Sequence, residues 1–346
     1  MSNSKIKVGV VGSTGLLSGF LIKLLHAHPH ITIETVVSES NPNISIDTFH
    51  PFLRGITTYK TEEFKSNRLI DDCQVVFFCK PHGKGIEQTL QLVDRSRDLK
   101  IIDLSANFRL KQASLYDEWY KFTHPFPESL VEFVYGLPEL NAEEIKKANF
   151  IANPGCYPTS IILAVAPLYK NKLVHPKKDL IIDSYSGVSG AGKQLNSRNM
   201  AINVEANIIT YKVTDHQHTP EIEQELTKLL NEEVIINFVP HVAPFKYGIV
   251  NTIFVKLRSK IEINEIVDLY RQFYKPHPFI RIYSPDIYPE IQYVEGTNFC
   301  DIGFSYNQRT ETLIVISAID NVIKGGVGQA IQNMNIMYGW DENIGL

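Results

Sequence analysis

One cysteine stands where its sulfur could do chemistry. In IANPGCYPTS, Ile151–Ser160, Cys156 lies between Pro154-Gly155 and Tyr157-Pro158. Pro158 suits the first turn of a helix, which puts the sulfur at or just before a helix N-terminus, where the local field favours thiolate. The competing reading is an inert cysteine buried at a bend. A nucleophile needs a base, and TDHQHTPE offers His216 and His218, with Thr219-Pro220 as the expected N-cap and N1 of a second helix. A histidine just ahead of a helix stays neutral near pH 7 and can take or give a proton. His218, nearer the helix start, is the preferred acid/base and His216 the alternative. Alternating histidines without a third ligand make no metal site, and Cys73, Cys79, Cys156 and Cys300 form no CxxC pair.

Glycines supply the second kind of chemistry. VGVVGSTGLL spaces Gly9, Gly12 and Gly15 between an apolar run and a helical pattern, with Ser13 and Thr14 in the turn. Missing side chains let the backbone approach a pyrophosphate at a helix N-terminus. A dinucleotide site is expected there. Ser38-Glu39-Ser40 would lie near the adenosine ribose, where an acid often holds a 2′-hydroxyl and arginine with small hydroxyl residues accepts a 2′-phosphate; this loop leaves NADP versus NAD open. His82 in CKPHGKG is either a ligand contact or a loop histidine. In DLSANFRL, Arg109 could fork onto a phosphate or carboxylate, with Ser105 and Asn107 as further donors. SGVSGAGK, Ser186–Lys193, is a second glycine-rich loop, either a close approach to a ligand or only a tight turn.

Elements must hold these residues in place. Up to about Cys156, apolar runs such as IKVGVV, CQVVFFC and LKIIDLS alternate with helical patterns, which implies parallel βαβ units covered on both faces. From about Asp179, strand-like segments (EVIINFVPH, IVNTIFVKL, TLIVISAI) mix with helices such as PEIEQELTKLL. The expected fold class is α/β: a Rossmann-type dinucleotide-binding domain over residues 1–155, an α+β catalytic and oligomerisation domain with a mixed sheet over 156–317, and a C-terminal helical segment, 318–346, packing back on the first domain. Cys156 would then lie at the domain junction. The 346 residues, 44% hydrophobic and 21% charged with net charge −4, describe an ordinary globular chain of about two domains. No basic stripe suggests a nucleic-acid or acidic-membrane partner. Four cysteines and no long apolar run point to a reducing cytoplasm.

The strings GSTGLLSG, DTFHPFLRG, KPHG, DLSANFRL, VYGLPELN, ANPGCYPT, SGVSGAGK, HQHTPE and DNVIKGGVGQAIQNMNIMYG together resemble, over nearly the full length, the N-acetyl-γ-glutamyl-phosphate reductases of the semialdehyde dehydrogenase family. That resemblance implies phosphate-releasing, NADP(H)-linked reduction of a small acyl phosphate in arginine biosynthesis, with Cys156 as nucleophile and a homo-oligomeric assembly. It implies pyrophosphate contacts from Gly12, Thr14 and Gly15. Ser186, Gly187, Ser189 and Gly190 would lie near the nicotinamide ribose, Asn321 near the carboxamide, and Arg109 with Ser105 on the phosphate. Related acyl-phosphate reductases acting on carrier-linked glutamyl or aminoadipyl phosphate, or on aspartyl phosphate, are the alternatives, followed by a non-catalytic dinucleotide-binding protein. Two positions depart from the family pattern. Tyr247 stands where arginine is usual, with Lys246 expected on the opposite face of a strand, and Lys193 also replaces an arginine.

Overall fold

The computed structural model describes residues 5–175, 180–191 and 206–346, so Lys193 lies outside the described residues. The chain forms two compact units, Met1–Pro154 with Gly326–Leu346, and Gly155–Gly325.

In the first unit, strands β1 (Ile6–Val11), β2 (Ile31–Val37), β3 (Thr61–Glu62), β4 (Val75–Phe78), β5 (Lys100–Asp103), β6 (Val134–Tyr135) and β7 (Phe150–Ala152) alternate with helices α1 (Leu16–Ala27), α2 (Ser66–Asp72), α3 (Ile86–Arg95) and α4 (Pro138–Lys147). The sheet order is β3-β2-β1-β4-β5-β7-β6. All its pairings are parallel. β1 and β4 are buried over most of their length because helices cover both faces, which explains their unbroken apolar runs. The order reverses beside β1, where β1 and β4 part company in sequence; in open parallel sheets ligands bind outside the strand ends at such a point.

The second unit opens with α5 (Cys156–Lys170) and continues through β8 (Leu180–Ser186), β9 (Ile209–Thr210), α6 (Thr219–Leu230), β10 (Ile236–Val242), β11 (Ile249–Val255), α7 (Ile263–Tyr274), β12 (Ile280–Ile282), β13 (Cys300–Asn307) and β14 (Thr312–Ile319). Its sheet, β12-β13-β14-β11-β8-β10-β9, is mixed. β8 pairs parallel with β10 and antiparallel with β11. Residues 318 and 319 complete β14, and α8 (Gly328–Met337) then packs on α4 and α1 in the first unit.

α5 is the core of the second unit. Every residue from Tyr157 to Tyr169 is buried, the pattern of a helix surrounded by protein. Pro167 has no N–H to give to the Leu163 carbonyl one turn back. The Tyr274 hydroxyl donates to that carbonyl at 2.6 Å, and Tyr270 donates to the Ala164 carbonyl at 2.7 Å. The long helix therefore survives its internal proline because Tyr274 of α7 satisfies the acceptor that proline exposes.

Candidate active site

The first unit supplies a cradle at the end of β1. Gly12 adopts φ +82°, and a Cβ there would stand 2.9 Å from the Cys79 carbonyl oxygen, so only glycine fits the turn. The N–H groups of Gly12 and Ser13 both donate to the Val37 carbonyl at 3.0 Å. The buried Ser13 hydroxyl donates to the same oxygen at 3.0 Å, so its side chain staples the loop to β2. Gly15 is the N-cap of α1 and Thr14 is half-buried beside it. A glycine turn feeding a helix N-terminus, with no room for a Cβ, fits a dinucleotide pyrophosphate.

Around that cradle the other expected residues occupy distinct settings. Ser38 is buried, while Glu39 is exposed. The Glu39 carboxylate accepts from the Lys80 ammonium at 2.6 Å and from the Gln88 amide, and the two hydrogen bonds from Lys80 and Gln88 hold its pKa below the usual carboxylate range despite partial desolvation. His82 is exposed, with its ring edge-on to Tyr120 at 5.4 Å.

The loop after β5 is tightly built. Asp103 accepts from the Ser105 N–H at 2.7 Å and from the Ser105 hydroxyl; burial raises its pKa to about 6. Asn107 accepts from the Gly83 N–H at 2.7 Å and donates to the Lys84 carbonyl at 2.9 Å, tying in the KPHGKG turn. Arg109 is buried and braces the backbone, with Nε donating to the Asn153 carbonyl at 2.7 Å and an Nη to the Leu104 carbonyl at 3.0 Å. Anion binding by Ser105 and Arg109 would have to coexist with these internal bonds.

In the second unit Cys156 is the first residue of α5, with Gly155 as N-cap, and is half-buried. Pro158 occupies the first turn, where its missing N–H removes nothing from the helix ladder. The Gly155 N–H donates to Oε1 of Glu221 at 2.8 Å, and Glu221, fully buried, sits in the first turn of α6. That contact joins the cysteine helix to the histidine segment. On the other flank, a Cβ on Gly325 would lie 2.7 Å from the Cys156 Cβ, so glycine is required for this turn to close on the cysteine. Asp320 shapes it by accepting from the N–H groups of Val322 at 2.7 Å and Ile323 at 2.9 Å.

His216 and His218 are neighbours, ring centroids 4.9 Å apart, and both pack edge-on against Tyr157. His216 is buried; its Nδ1 accepts from the His218 N–H at 3.1 Å, so the ring proton belongs on Nε2, 3.4 Å from the Tyr211 hydroxyl. Burial first, then Lys212, pushes the His216 pKa from 6.5 to about 3. His218 is only half-buried. It is the N-cap of α6, one residue ahead of the expected Thr219, because the first full helical bond runs from the Ile222 N–H to the His218 carbonyl at 3.1 Å. Burial lifts the Tyr211 pKa to about 12 and that of Tyr157 well above its usual value, and the charge of Cys156 adds to both. Two neutral phenols therefore lie within electrostatic reach of the sulfur.

The second glycine loop is built by backbone pairing. The N–H groups of Gly187, Val188 and Ser189 donate to the carbonyls of Gly248, Phe245 and Lys246 at 2.9, 3.0 and 3.1 Å. A Cβ at Gly187 would meet the Lys246 carbonyl oxygen at 2.7 Å, and one at Gly190 would meet the Ser186 hydroxyl at 2.9 Å. Asn321 clamps the pair of loops, accepting from the Gly248 N–H at 2.6 Å and donating to the Ser189 hydroxyl at 3.0 Å. Residues 243–248 lie between β10 and β11, so strand alternation does not govern Lys246 and Tyr247. The Lys246 ammonium lies over the Tyr247 ring, 4.9 Å from its centroid, instead of on an opposite face.

The comparisons agree with this geometry. Residues 7–148 match the model for the semialdehyde dehydrogenase NAD binding domain, and residues 156–321 match the semialdehyde dehydrogenase dimerisation domain. An N-acetyl-γ-glutamyl-phosphate reductase of Caldicellulosiruptor bescii is 46% identical over 99% of this chain and 98% of its own. The chain belongs to the N-acetyl-γ-glutamyl-phosphate reductase branch of the semialdehyde dehydrogenase family. A second reductase of that name, from Thermoanaerobacter sp. strain X514, is 43% identical with the same coverage. Among solved structures, aspartate semialdehyde dehydrogenase II of Vibrio cholerae, complexed with ASA, has a TM-score of 0.73 at 16% identity and covers 97% of this chain and 98% of its own. Aspartate semialdehyde dehydrogenase of Candida albicans, with NADP, has a TM-score of 0.71 at 16% identity, covering 99% of this chain and 100% of its own. At those identities they establish the semialdehyde dehydrogenase fold. Among the described residues no group of three or more metal-ligating side chains occurs, and no helix is long and apolar enough to cross a membrane.

His216 makes stability depend on pH. Its folded pKa lies below its unfolded one, so its contribution is full above about pH 6.5 and is lost as the pH falls toward 3, at up to about 1.4 kcal/mol per pH unit. Urea unfolding followed from pH 7.5 to 4.5 is expected to show falling stability below pH 6.5, with a shallower decline in His216→Asn; identical slopes in the two proteins would show that His216 is not held neutral.

Proposed function

We propose that this chain reduces N-acetyl-γ-glutamyl phosphate to N-acetylglutamate 5-semialdehyde, using NADPH and releasing phosphate, as a step of arginine biosynthesis. The observation that carries this reading is the near-complete coverage by reductases of that name at 40–46% identity, together with a half-buried free cysteine at the first position of α5.

The chain's own groups suit acyl transfer. Cys156 as thiolate at a helix N-terminus attacks the acyl carbon, phosphate leaves, and a thioester forms on sulfur. Bound NADP(H) supplies the hydride that reduces the thioester carbon. His218 takes part in ionising Cys156, protonates the resulting oxygen and takes that proton back as the C–S bond breaks, which frees the aldehyde and returns Cys156 as thiolate, while His216, buried and hydrogen-bonded to the His218 backbone, holds the segment in shape. Glu221 fixes the start of α5. Lys246, carried on the Tyr247 ring, supplies a cation for the substrate carboxylate in the absence of the usual arginine.

NADP is favoured over NAD by the state of Glu39. Its carboxylate is held by Lys80 and Gln88 within the protein, away from a ribose 2′-hydroxyl, and Lys80 would exchange Glu39 for a 2′-phosphate. The reaction run backwards tests substrate, nucleophile and cofactor together. N-acetylglutamate semialdehyde, phosphate and NADP should give NADPH; aspartate semialdehyde or NAD should serve at least about tenfold less well, and Cys156→Ala should give none. Lys80→Ala should lower NADP preference about tenfold, the worth of one charge-assisted hydrogen bond. Equal use of aspartate semialdehyde would move the chain to a sister activity, and an unchanged cofactor ratio in Lys80→Ala would remove that residue from cofactor choice.

The homo-oligomer named by the dimerisation-domain match is assigned to the open face of the mixed sheet. Ile181 pairs with Phe254, and Phe254 with Ile314, across adjacent strands on one face. Ile181 and Phe254 are 41% and 36% exposed, and a contiguous apolar row of this kind is the usual core of a symmetric interface. Light scattering is expected to give half the wild-type mass for Phe254→Glu, whereas an undiminished oligomer would place the interface elsewhere.

A further inference from the structure

His50 belongs to the DTFHPFLRG string, a motif with no assigned role in the reaction. It is buried to 1% exposure, between the two 3-10 turns that follow β2, Ile46–Thr48 and Pro51–Leu53, and its Nε2 lies 2.8 Å from the carbonyl oxygen of Ser13. A carbonyl only accepts, so Nε2 carries the hydrogen and the ring donates. The Ser13 carbonyl and the Thr14 N–H belong to one trans peptide and point in opposite directions. Fixing the carbonyl toward His50 therefore fixes the Thr14 N–H away from it, in the turn just ahead of the α1 N-terminus. The other side of the same residue is already held, because the Ser13 N–H and hydroxyl both meet the Val37 carbonyl. With β2 gripping one end of the residue and His50 the other, the peptide has one orientation.

The seat of the imidazole is built as closely as its hydrogen bond. A Cβ on Gly19, on α1, would fall 2.7 Å from the ring Cγ and 2.8 Å from Cε1. Those atoms belong to a rigid ring, so an alanine at 19 would drive it from its place. Gly19 thus leaves open the space through which His50 reaches back to the glycine turn, although glycine is otherwise a poor choice inside a helix.

We propose that His50 is a positioning residue for the dinucleotide: it holds the Ser13–Thr14 peptide so that the Thr14 N–H is presented to the pyrophosphate. This rests on the reading of the first unit as an NADP(H) site. His50 touches none of the reacting groups, so its removal should weaken cofactor binding and leave the chemical step intact.

NADPH binding to the full chain is measured by fluorescence titration for wild type, His50→Phe, His50→Gln and Gly19→Ala, alongside steady-state kinetics. His50→Phe keeps the ring shape and loses the donor; its Kd and KM for NADPH should rise about five- to tenfold, the range of one hydrogen bond, with kcat at saturating NADPH unchanged. His50→Gln places an amide N–H near the Nε2 position and should restore binding to within about twofold of wild type. Gly19→Ala raises helix propensity, so it tests the ring's position in a protein whose helix is favoured, and it should match the Phe variant. Wild-type affinity in both His50→Phe and Gly19→Ala, or a fall in kcat without a change in KM for NADPH, would overturn the positioning role. Failure of the wild-type protein itself to bind NADPH would overturn the cofactor reading and the role together.

Discussion

The second unit depends on one buried carboxylate. Glu221 is fully enclosed, and its Oε1 accepts the N–H of Gly155, the residue that caps α5. A buried carboxylate is costly without a donor, and the N-cap N–H of a helix that starts in a proline-rich turn needs an acceptor. Each satisfies the other. Because Glu221 is also in the first turn of α6, the bond places the start of the cysteine helix against the start of the histidine helix. The orientation of Cys156, the packing of Tyr157 against the two histidines, and the closure of Gly325 on the cysteine all follow from where α5 begins.

A second constraint of the same kind governs the glycine loops. Neither is an open nest of donors. At Ser186–Gly190 the N–H groups of three successive residues pair with carbonyls of the β10–β11 connection, and Asn321 clamps the two. At Gly12–Gly15 the anchoring comes from Val37 and His50. Glycine at these positions answers close backbone approach as much as ligand contact. In both loops preorganisation is achieved by hydrogen bonds within the protein, the arrangement that lets a site bind without first ordering itself.

Much of this was legible in the sequence wherever local chemistry decides it. Unbroken apolar runs ending in glycine turns gave the parallel sheet, and Pro158 after Cys156 marked the helix start that the structure shows. What escaped was set by partners distant in sequence. Glu221 and Gly155 are 66 residues apart, and Asn321 and Gly248 are 73 apart. No periodicity reveals such pairs. Ser13 resembles a pyrophosphate contact by its place in GSTG, yet its hydroxyl serves Val37; His50 and Gly19 carry no local signal of their partnership. The Lys246–Tyr247 expectation failed for a different reason. Lys246 and Tyr247 lie in the connection between β10 and β11, where strand alternation does not hold and the lysine folds back over the tyrosine ring.

The central claim is that the turn before α5 presents Cys156 as the acyl acceptor. Trapping the acyl-enzyme tests it directly. The protein is mixed with N-acetyl-γ-glutamyl phosphate, generated in place by a kinase, with no reduced dinucleotide, quenched in acid and mapped by peptide mass spectrometry. The account predicts one acyl group on the Cys156 peptide, released by hydroxylamine, with a matching equivalent of phosphate. Phosphate release without an adduct, or an adduct on a different side chain, would contradict it.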